Sequence, residues 1–513
     1  MRLNGHTSLC RAARCCKAWK DPALDSLWSQ LFCAAPLLRL IPHVVEREGS
    51  FSLDDGLLLS MDLSKFESYA RRVRTITHRH RRPMDPRILC VLAGAFRDTK
   101  PDRSILPQLS RVSISVPSWD NFSVYMGRSP ALRELTLDLG FNRARVDAKG
   151  YSNDEVAAGY LEDIIGSAAS IEKMELRGLA LAHPRISGSL MNLGASMRIL
   201  TLTTGTSLSP YTFSGVVRFP RLEELEVHAG HISPTELAEV FSVREEEDVF
   251  PALRKLRIRA QAPVVELLLE KMASCQLASL HIEAVPQPQG LRAHNWAHTF
   301  ALIPAKATFT LQELTIEHHF ELSVDNEPNS NTPTPASSSP SATGLSANPD
   351  PVEAPMLTLA NLRPLAPLTR LRRLILDTTL PPCLSDADVE TLARWWPNVE
   401  HLELGGMTSD SVCSSLKSTS RTTLACLRSF AKWSTRLETL VLNLDVTTYP
   451  SDAQCGATSR SLRNLALGSS LAPRPARLAH YLTRVFPALE VLDGGEKFED
   501  EFRYANCLMH PAN

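Results

Sequence analysis

Residues 219–227 read Phe-Pro-Arg-Leu-Glu-Glu-Leu-Glu-Val, and this stretch holds the pattern to which most of the chain can be related. Leu222, Leu225 and Val227 form an L-x-x-L-x-L unit, in which L stands for any apolar residue. Because side chains alternate between the two faces of a strand, the second half of the unit predicts a short strand with one buried face. The side chains between the apolar ones are expected on the opposite face.

The same unit recurs along the chain. Most steps between successive units are 23 to 39 residues long, and one step is 60 residues long. The units begin at Leu109, Leu132, Ile171, Met197, Leu222, Leu253, Leu277, Leu311, Leu371, Val399, Leu437, Leu462 and Leu489. Self-similarity at this spacing predicts a solenoid, and the leading L-x-x-L-x-L resembles the leucine-rich repeat. We therefore predict an α/β fold: an irregular leucine-rich-repeat solenoid of about thirteen repeats, preceded by a small helical segment.

Between the predicted strands, the sequence often changes to helical spacing. Pro234 is suited to the first position of one helix, and Ser385 with Asp388 three residues later predicts a capping box at the start of another. Alternation of strand and helix predicts a parallel, curved sheet with helices on its outer face.

Composition and charge limit the possible functions. The chain of 513 residues is too long for one core, and its 55 Lys+Arg balance 56 Asp+Glu, so we expect no global attraction for nucleic acid or anionic membrane. No run approaches the roughly 18 apolar residues that a membrane helix needs. The 11 cysteines lack paired spacing, which favours reduced thiols and an intracellular protein, cytoplasmic or nuclear.

Sequence motifs for catalysis are absent. Phosphate-binding G-x-x-x-x-G-K, H-E-x-x-H, paired C-x-x-C and G-x-S-x-G do not occur. We therefore predict a binding protein rather than an enzyme, with no cofactor and no metal.

The N-terminal residues 7–31 predict two short helices. The first is expected to place Leu9, Cys16 and Trp19 on one buried stripe, and the second to begin with Asp21 as N-cap and Pro22 at the first helical position. Two helices this short cannot bury two tryptophans by themselves, so they need a partner surface.

A family resemblance rests on the same residues. Cys16-Lys17-Ala18-Trp19, followed by Pro22-Ala23-Leu24 and by Ser26-Leu27-Trp28, resembles the second half of an F-box. The family's first helix, which begins with Leu-Pro, has no counterpart before Thr7, so we identify a partial F-box. The whole chain resembles a fungal F-box protein with C-terminal leucine-rich-like repeats.

This resemblance implies a substrate receptor of an SCF-type cullin-RING ubiquitin ligase. The F-box would bind a Skp-type adaptor, and the repeats would bind a protein substrate that the sequence does not identify. The implied adaptor contact comprises Leu9, Cys16, Trp19, Pro22, Leu24, Leu27, Trp28 and Leu31. Two alternatives remain: the helices only cap the open end of a repeat stack, or the chain is a free-standing protein-binding scaffold that recruits no ligase.

The repeats are interrupted once in the predicted domain organisation. Residues 327–355 contain seven Pro and few large apolar residues, a composition that predicts a disordered insertion. The predicted segments are a partial F-box-like helical segment (1–45), connecting helices with a first strand (46–108), repeats (109–326), the insertion (327–355), further repeats (356–500) and a C-terminal tail (501–513).

Substrate recognition is predicted on the strand face opposite the buried leucines. The candidate substrate-binding side chains on that face are Glu224, Glu226, His228, Lys255, Arg257, Arg259, His281 and Glu283. One hypothesis is that they bind a charged substrate segment. The alternative is that acidic and basic neighbours neutralise one another as surface ion pairs, each worth about 0 to 1 kcal/mol.

Overall fold

A computed structural model gives the fold in two compact units, Met1–Ile258 and Arg259–Asn513. The residues it describes are 3–54, 62–78, 85–99, 104–115, 128–138, 153–168, 170–178, 183–204, 208–242, 249–273, 276–285, 296–319, 357–379, 382–405, 421–450, 456–469, 471–495 and 498–510. The predicted insertion at 327–355 lies outside these residues.

The first unit alternates strands with helices. Its strands are β1 (Gln30–Leu31), β2 (Val44–Arg47), β3 (Ser50–Leu53), β4 (Thr75–His78), β5 (Arg111–Ser115), β6 (Glu134–Asp138), β7 (Lys173–Arg177), β8 (Ile199–Thr203) and β9 (Glu224–His228), and β10 (Lys255–Ala260) contains the division between the units. Its helices are α1 (Leu3–Cys15), α2 (Lys17–Trp28), α3 (Ala35–Leu38), α4 (Ser64–Ala70), α5 (Pro86–Thr99), α6 (Asn153–Ser167), α7 (Pro184–Asn192), α8 (Pro210–Val216) and α9 (Pro234–Ser242).

The second unit continues the same alternation. Its strands are β11 (Ser279–Ala284), β12 (Glu313–His318), β13 (Arg373–Thr378), β14 (His401–Leu404), β15 (Thr439–Asn443), β16 (Asn464–Gly468) and β17 (Val491–Gly494). Its helices are α10 (Ala262–Lys271), α11 (Ala297–Ala307), α12 (Leu359–Leu362), α13 (Asp386–Trp395), α14 (Leu427–Trp433), α15 (Pro475–Val485) and α16 (Glu499–Met509), with short 3-10 turns at Arg363–Leu365 and Leu424–Cys426.

In each unit, neighbouring strands are parallel and follow chain order. The first unit has the order β1-β4-β5-β6-β7-β8-β9, and the second has β11 to β17 in sequence. Strands β2 and β3 form a separate antiparallel hairpin. Each of the thirteen predicted units forms one strand, β5 to β17, which confirms the α/β leucine-rich-repeat-like fold.

The repeated apolar triple builds the core. Leu222, Leu225 and Val227 are at most 2% exposed, and the same alternation of buried and open side chains is repeated in β4 to β12, β14 and β15. The helix predictions also hold: Ser385 and Asp388 form a reciprocal capping box in front of α13, so two terminal backbone N–H groups of that region are satisfied.

A shared backbone contact fixes the register from repeat to repeat. The Arg198 carbonyl oxygen accepts hydrogen bonds from the N–H groups of Glu223 and Glu224, at 2.8 and 3.0 Å. In the second unit, the Gln312 carbonyl accepts from Arg372 and Arg373 at the same two distances. In these repeats, the start of the strand is therefore tied to the preceding repeat by two donors on one acceptor.

The same contact reveals a first repeat that the sequence analysis missed. The Ser29 carbonyl accepts from the N–H groups of Arg74 and Thr75 at 3.0 and 2.8 Å, and β1 pairs in parallel with β4. Trp28, Leu31 and Cys33 in fact satisfy the apolar spacing of the repeat. The N-terminal segment therefore contributes a strand to the sheet.

The predicted helix boundaries in this segment are wrong. Cys16 is an extended residue (φ −154°, ψ 163°) between α1 and α2, so it does not continue the stripe of Leu9, and its side chain is exposed rather than buried. Helix α2 begins at Lys17, which places Pro22 inside it. The helix ends at Trp28, and the carbonyl of the next residue, Ser29, accepts hydrogen bonds from Arg74 and from Thr75 of β4. One proline in a helix removes one backbone hydrogen bond, and here the helix accommodates that loss.

At the other end of the chain, residues 501–509 form most of α16, although a C-terminal tail was predicted for this region. Phe502 and Ala505 are buried, and Phe502 lies against the backbone of Gly494 in β17. The helix covers the apolar end of the last repeat, which explains why these residues are ordered.

Candidate protein-binding surfaces

The N-terminal helix pair leaves most of its apolar side chains only half-buried, and it exposes Trp19. Helix α1 packs mainly against α2, and none of the side chains described in α1, residues 6–15, is buried. In α2, only Ala23 is buried. Trp19 is 65% exposed, as is Phe32 directly after β1. This segment thus leaves α1 and one side of α2 partly uncovered by the rest of the described chain.

Two contacts hold α2 on the first repeats. The Arg72 guanidinium binds the carboxylates of Asp21, at 2.8 Å, and Asp25, and its side chain is only 18% exposed. The Trp28 indole packs on the Tyr69 ring with centroids 4.5 Å apart. Tyr69 lies in α4, and Arg72 follows two residues after the end of that helix. The orientation of α2 is therefore fixed by the segment that leads into β4.

The predicted adaptor residues fall into three environments. Cys16, Trp19 and Pro22 are exposed, and Leu31 is buried in β1 at 7% exposure. The remaining four residues are half-buried: Leu9, Leu24, Leu27 and Trp28. Leu31 therefore belongs to the core of the sheet, and Trp28 is already engaged by Tyr69. Phe32 was not predicted, although its position after an apolar strand residue places it on the open side of the sheet.

A polar cleft of about 720 Å³ lies beside this junction. Three arginines, Arg71, Arg72 and Arg74, face three carboxylates across it, together with serine and glutamine side chains. The charges that line the cleft are balanced, and Arg72 already binds the carboxylates of Asp21 and Asp25, so the cleft lies at the attachment of α2 to the first repeats.

On the open face of the first unit, the predicted substrate residues are paired with one another. Lys255 Nζ lies 2.8 Å from Glu224 Oε1, and an Arg257 nitrogen lies 3.7 Å from Glu226. His228 occupies the last position of β9 and is half-buried. The pairs connect neighbouring strands and remain well exposed, as the neutralisation hypothesis expects.

On the open face of the second unit, the partners are different. Arg259 lies 3.2 Å from Glu283, but His281 Nε2 lies 2.9 Å from Glu317 and His319 Nε2 lies 3.2 Å from Asp377. A further pair, His401 and Glu403, is 3.8 Å apart on β14. Three carboxylates here therefore have histidines, not lysines or arginines, as their ionisable partners.

Asp377 has an unusual electrostatic environment. Burial raises its pKa above the ordinary aspartate value, and repulsion from Glu403 and Glu317 acts in the same direction, against the attraction of His319. Its Oδ1 is occluded from solvent and receives no hydrogen bond from the residues that the structure describes. The sequence analysis did not single out Asp377, yet the alternation rule applied to the unit at Leu371 places Arg373, Ile375 and Asp377 on the open face.

No group of three metal-ligating side chains that could hold an ion occurs among the described residues. Within the same part of the chain, no helix combines the length and the apolar character needed to cross a bilayer.

Comparison with known proteins gives a limited result. No protein-family model matches the chain, and no curated protein matches it. Among solved structures, the crystal structure of the Rad7 and Elc1 complex in yeast matches with a TM-score of 0.38 and 16% sequence identity, over 70% of this chain and 74% of that chain. The function of this chain therefore has to be inferred from its own residues.

Proposed function

We propose that this chain is a non-catalytic substrate receptor of an SCF-type cullin-RING ubiquitin ligase. Its N-terminal helices would bind a Skp-type adaptor, and the open face of its repeats would bind a protein substrate. The observation that carries the proposal is the uncovered helix pair: no described side chain of α1 is buried, and Trp19 on α2 is 65% exposed. The role would place the protein inside the cell, in the cytoplasm or the nucleus.

The energetics favour a partner for these helices. A helix of 12 or 13 residues is marginal in water unless an apolar face is packed. Covering a tryptophan gains about 25 cal/mol for each Å² of apolar surface, or several kcal/mol for a side chain of this size. Aromatic side chains held on rigid elements are also the residues that most often dominate protein interfaces.

The attachment of α2 suits a receptor. Arg72 and Tyr69 hold α2 against the start of the sheet, so a partner bound at Trp19 would be held in a defined orientation to the first repeat. In a receptor that presents a substrate to a ligase, such a fixed connection between the two binding surfaces is required, because transfer depends on positioning.

The runner-up is a free-standing repeat scaffold that recruits no ligase. It is favoured by one observation: β1 joins the N-terminal segment to the sheet, and the buried Leu31 makes that segment a first repeat. In this alternative, α1 and α2 would only cover the end of the stack, as terminal elements of repeat proteins do.

The test is co-purification of the tagged full chain from its own cells, with Trp19→Ala compared with wild type. Phe309→Ala is the matched control, since Phe309 is an aromatic residue of the second unit that is 77% exposed. Recovery of a Skp-type adaptor with wild type and with the control, but not with Trp19→Ala, would support the proposal. Absence of any such adaptor from wild type would favour the scaffold.

A further inference from the structure

We infer that the open face of β11–β14 binds a segment of the substrate rich in lysine or arginine. This inference rests on the proposed function, because it names the class of substrate that the repeats would take. The surface is called the acidic face, and its charged side chains and histidines are His281, Glu283, Glu313, Glu317, His319, Arg373, Asp377, His401 and Glu403.

The first argument is charge. The acidic face carries five carboxylates and one arginine, whereas the whole chain has a net charge of only −1. Opposite charge on a partner is the electrostatic complement of such a surface, and it would also accelerate encounter. The same charge disfavours nucleic acid, whose phosphates would be repelled.

The second argument is the contrast between the units. In the first unit, open-face carboxylates have a permanent cation as partner: Glu134 with Arg111 at 2.7 Å, and Glu224 with Lys255 at 2.8 Å. In the acidic face, Glu283 lies 3.2 Å from Arg259 of β10, but the ionisable partners of Glu317, Asp377 and Glu403 among the described residues are histidines. A histidine carries a positive charge only when it is protonated, whereas arginine and lysine are permanent cations near neutral pH. The acidic face therefore has fewer permanent cations than carboxylates, unlike the paired positions of the first unit.

The third argument is the arrangement of the carboxylates. Glu283, Glu317 and Asp377 are in register on β11, β12 and β13. Adjacent strands are about 4.8 Å apart, so the three carboxylates form a row about 10 Å long across the sheet. A chain segment that crosses the strands can present successive basic side chains to such a row.

The state of Asp377 agrees with this assignment. Its Oδ1 lacks a donor among the described residues, and its carboxylate is disfavoured by burial and by two neighbouring acids. An ammonium or guanidinium group at this row would supply the missing positive charge. The ionised carboxylate thus opposes the folding of the free protein, and a bound cation would offset that effect.

The experiment measures binding of a short fluorescent peptide of alternating lysine and glycine to the purified full chain. The variant is Glu317→Gln with Asp377→Asn. The matched control is Glu224→Gln with Glu226→Gln, which also removes two negative charges, but from the open face of the first unit. We expect affinity to fall about ten-fold or more in the variant and less than about two-fold in the control.

Several results would overturn the inference: no binding of the lysine peptide by wild type, equal losses in variant and control, or equal binding of a glutamate peptide. Should the double variant fail to fold, Glu403→Gln alone is expected to weaken binding about three-fold or more, and an unchanged affinity would count against the proposal.

The proposed function is tested independently, since Trp19→Ala should leave peptide binding unchanged. Loss of peptide binding with intact adaptor capture would refute only the substrate assignment.

Discussion

The Trp28 indole of α2 lies against the Tyr69 ring of α4, with centroids 4.5 Å apart and an interplanar angle of 46°. This contact makes Trp28 a structural residue, whereas Trp19, on the same helix, is 65% exposed. We expect Trp28→Ala to lower the free energy of unfolding by about 2 to 3 kcal/mol, and Trp19→Ala to change it by less than about 0.5 kcal/mol. Thermal and chemical unfolding of both variants checks this, and equal effects would contradict it.

Arg72 is expected to control the attachment of the helix pair. Arg72→Gln leaves Asp21 and Asp25 without their cation, and because the Arg72 side chain is 18% exposed, we expect a local loss of about 1 to 3 kcal/mol. Hydrogen exchange should then accelerate in α1 and α2 but not in the later repeats. Arg71→Gln is the matched control, since Arg71 is 57% exposed and lies 3.4 Å from Glu67; its effect should stay within about 0.5 kcal/mol.

Gly494 is expected to be indispensable for docking of the last helix. A Cβ at Gly494 would lie 2.0 Å from a ring carbon of Phe502, whereas a Cβ at Gly495 would meet no atom within 4 Å. We therefore expect Gly494→Ala to lower the free energy of unfolding by about 1 to 3 kcal/mol, and Gly495→Ala to change it by less than about 0.5 kcal/mol. Melting temperatures of the two alanine variants provide the comparison, and similar values would argue against close helix–strand packing.

Asp377 should destabilise the free protein at neutral pH. Burial raises its pKa above the unfolded value, so the folded state binds more protons between the two values, and the free energy of unfolding falls as pH rises through that window. Asp377→Asn should therefore raise the melting temperature at pH 7. The difference should disappear at pH values below the ordinary aspartate pKa, where the carboxyl is protonated in both states.

Asp445 is a control for Asp377, because its pKa is shifted in the opposite direction. Burial alone would raise its pKa, but hydrogen bonds from Thr447 and Thr448 lower the pKa below the ordinary value. Its stabilising contribution is present above the unfolded pKa and is lost as pH falls through the folded one. Asp445→Asn should therefore lower the melting temperature at pH 7. A rise in both asparagine variants, or a fall in both, would refute the assignment of these two environments.

The repeat pattern predicts the fold well because its information is local. Leu222, Leu225 and Val227 define both the strand and its buried face, and the next unit along the chain supplies the neighbouring strand. Parallel stacking of successive repeats requires no distant pairing. For the same reason, the alternation rule places Asp377 on the open face once it is applied to every unit.

The candidate sites depend on contacts that no local pattern contains. The strand at Leu31 follows from pairing between β1 and β4, more than forty residues apart in sequence. Glu317 and Asp377 are neighbours in the sheet although sixty residues separate them in the chain. Burial and hydrogen bonding at such positions depend on the side chains of several elements together.

The sequence by itself determined the positions of the strands, the leucines of the core and the side chains on the open face, because strand periodicity and repeat spacing are properties of short segments. Only the tertiary structure decided which of those open-face charges are neutralised. Lys255 reaches Glu224, while Asp377 meets His319 and two repelling acids. The physical reason is that electrostatic pairing depends on distances between neighbouring strands and on burial, and both are set only when the repeats stack.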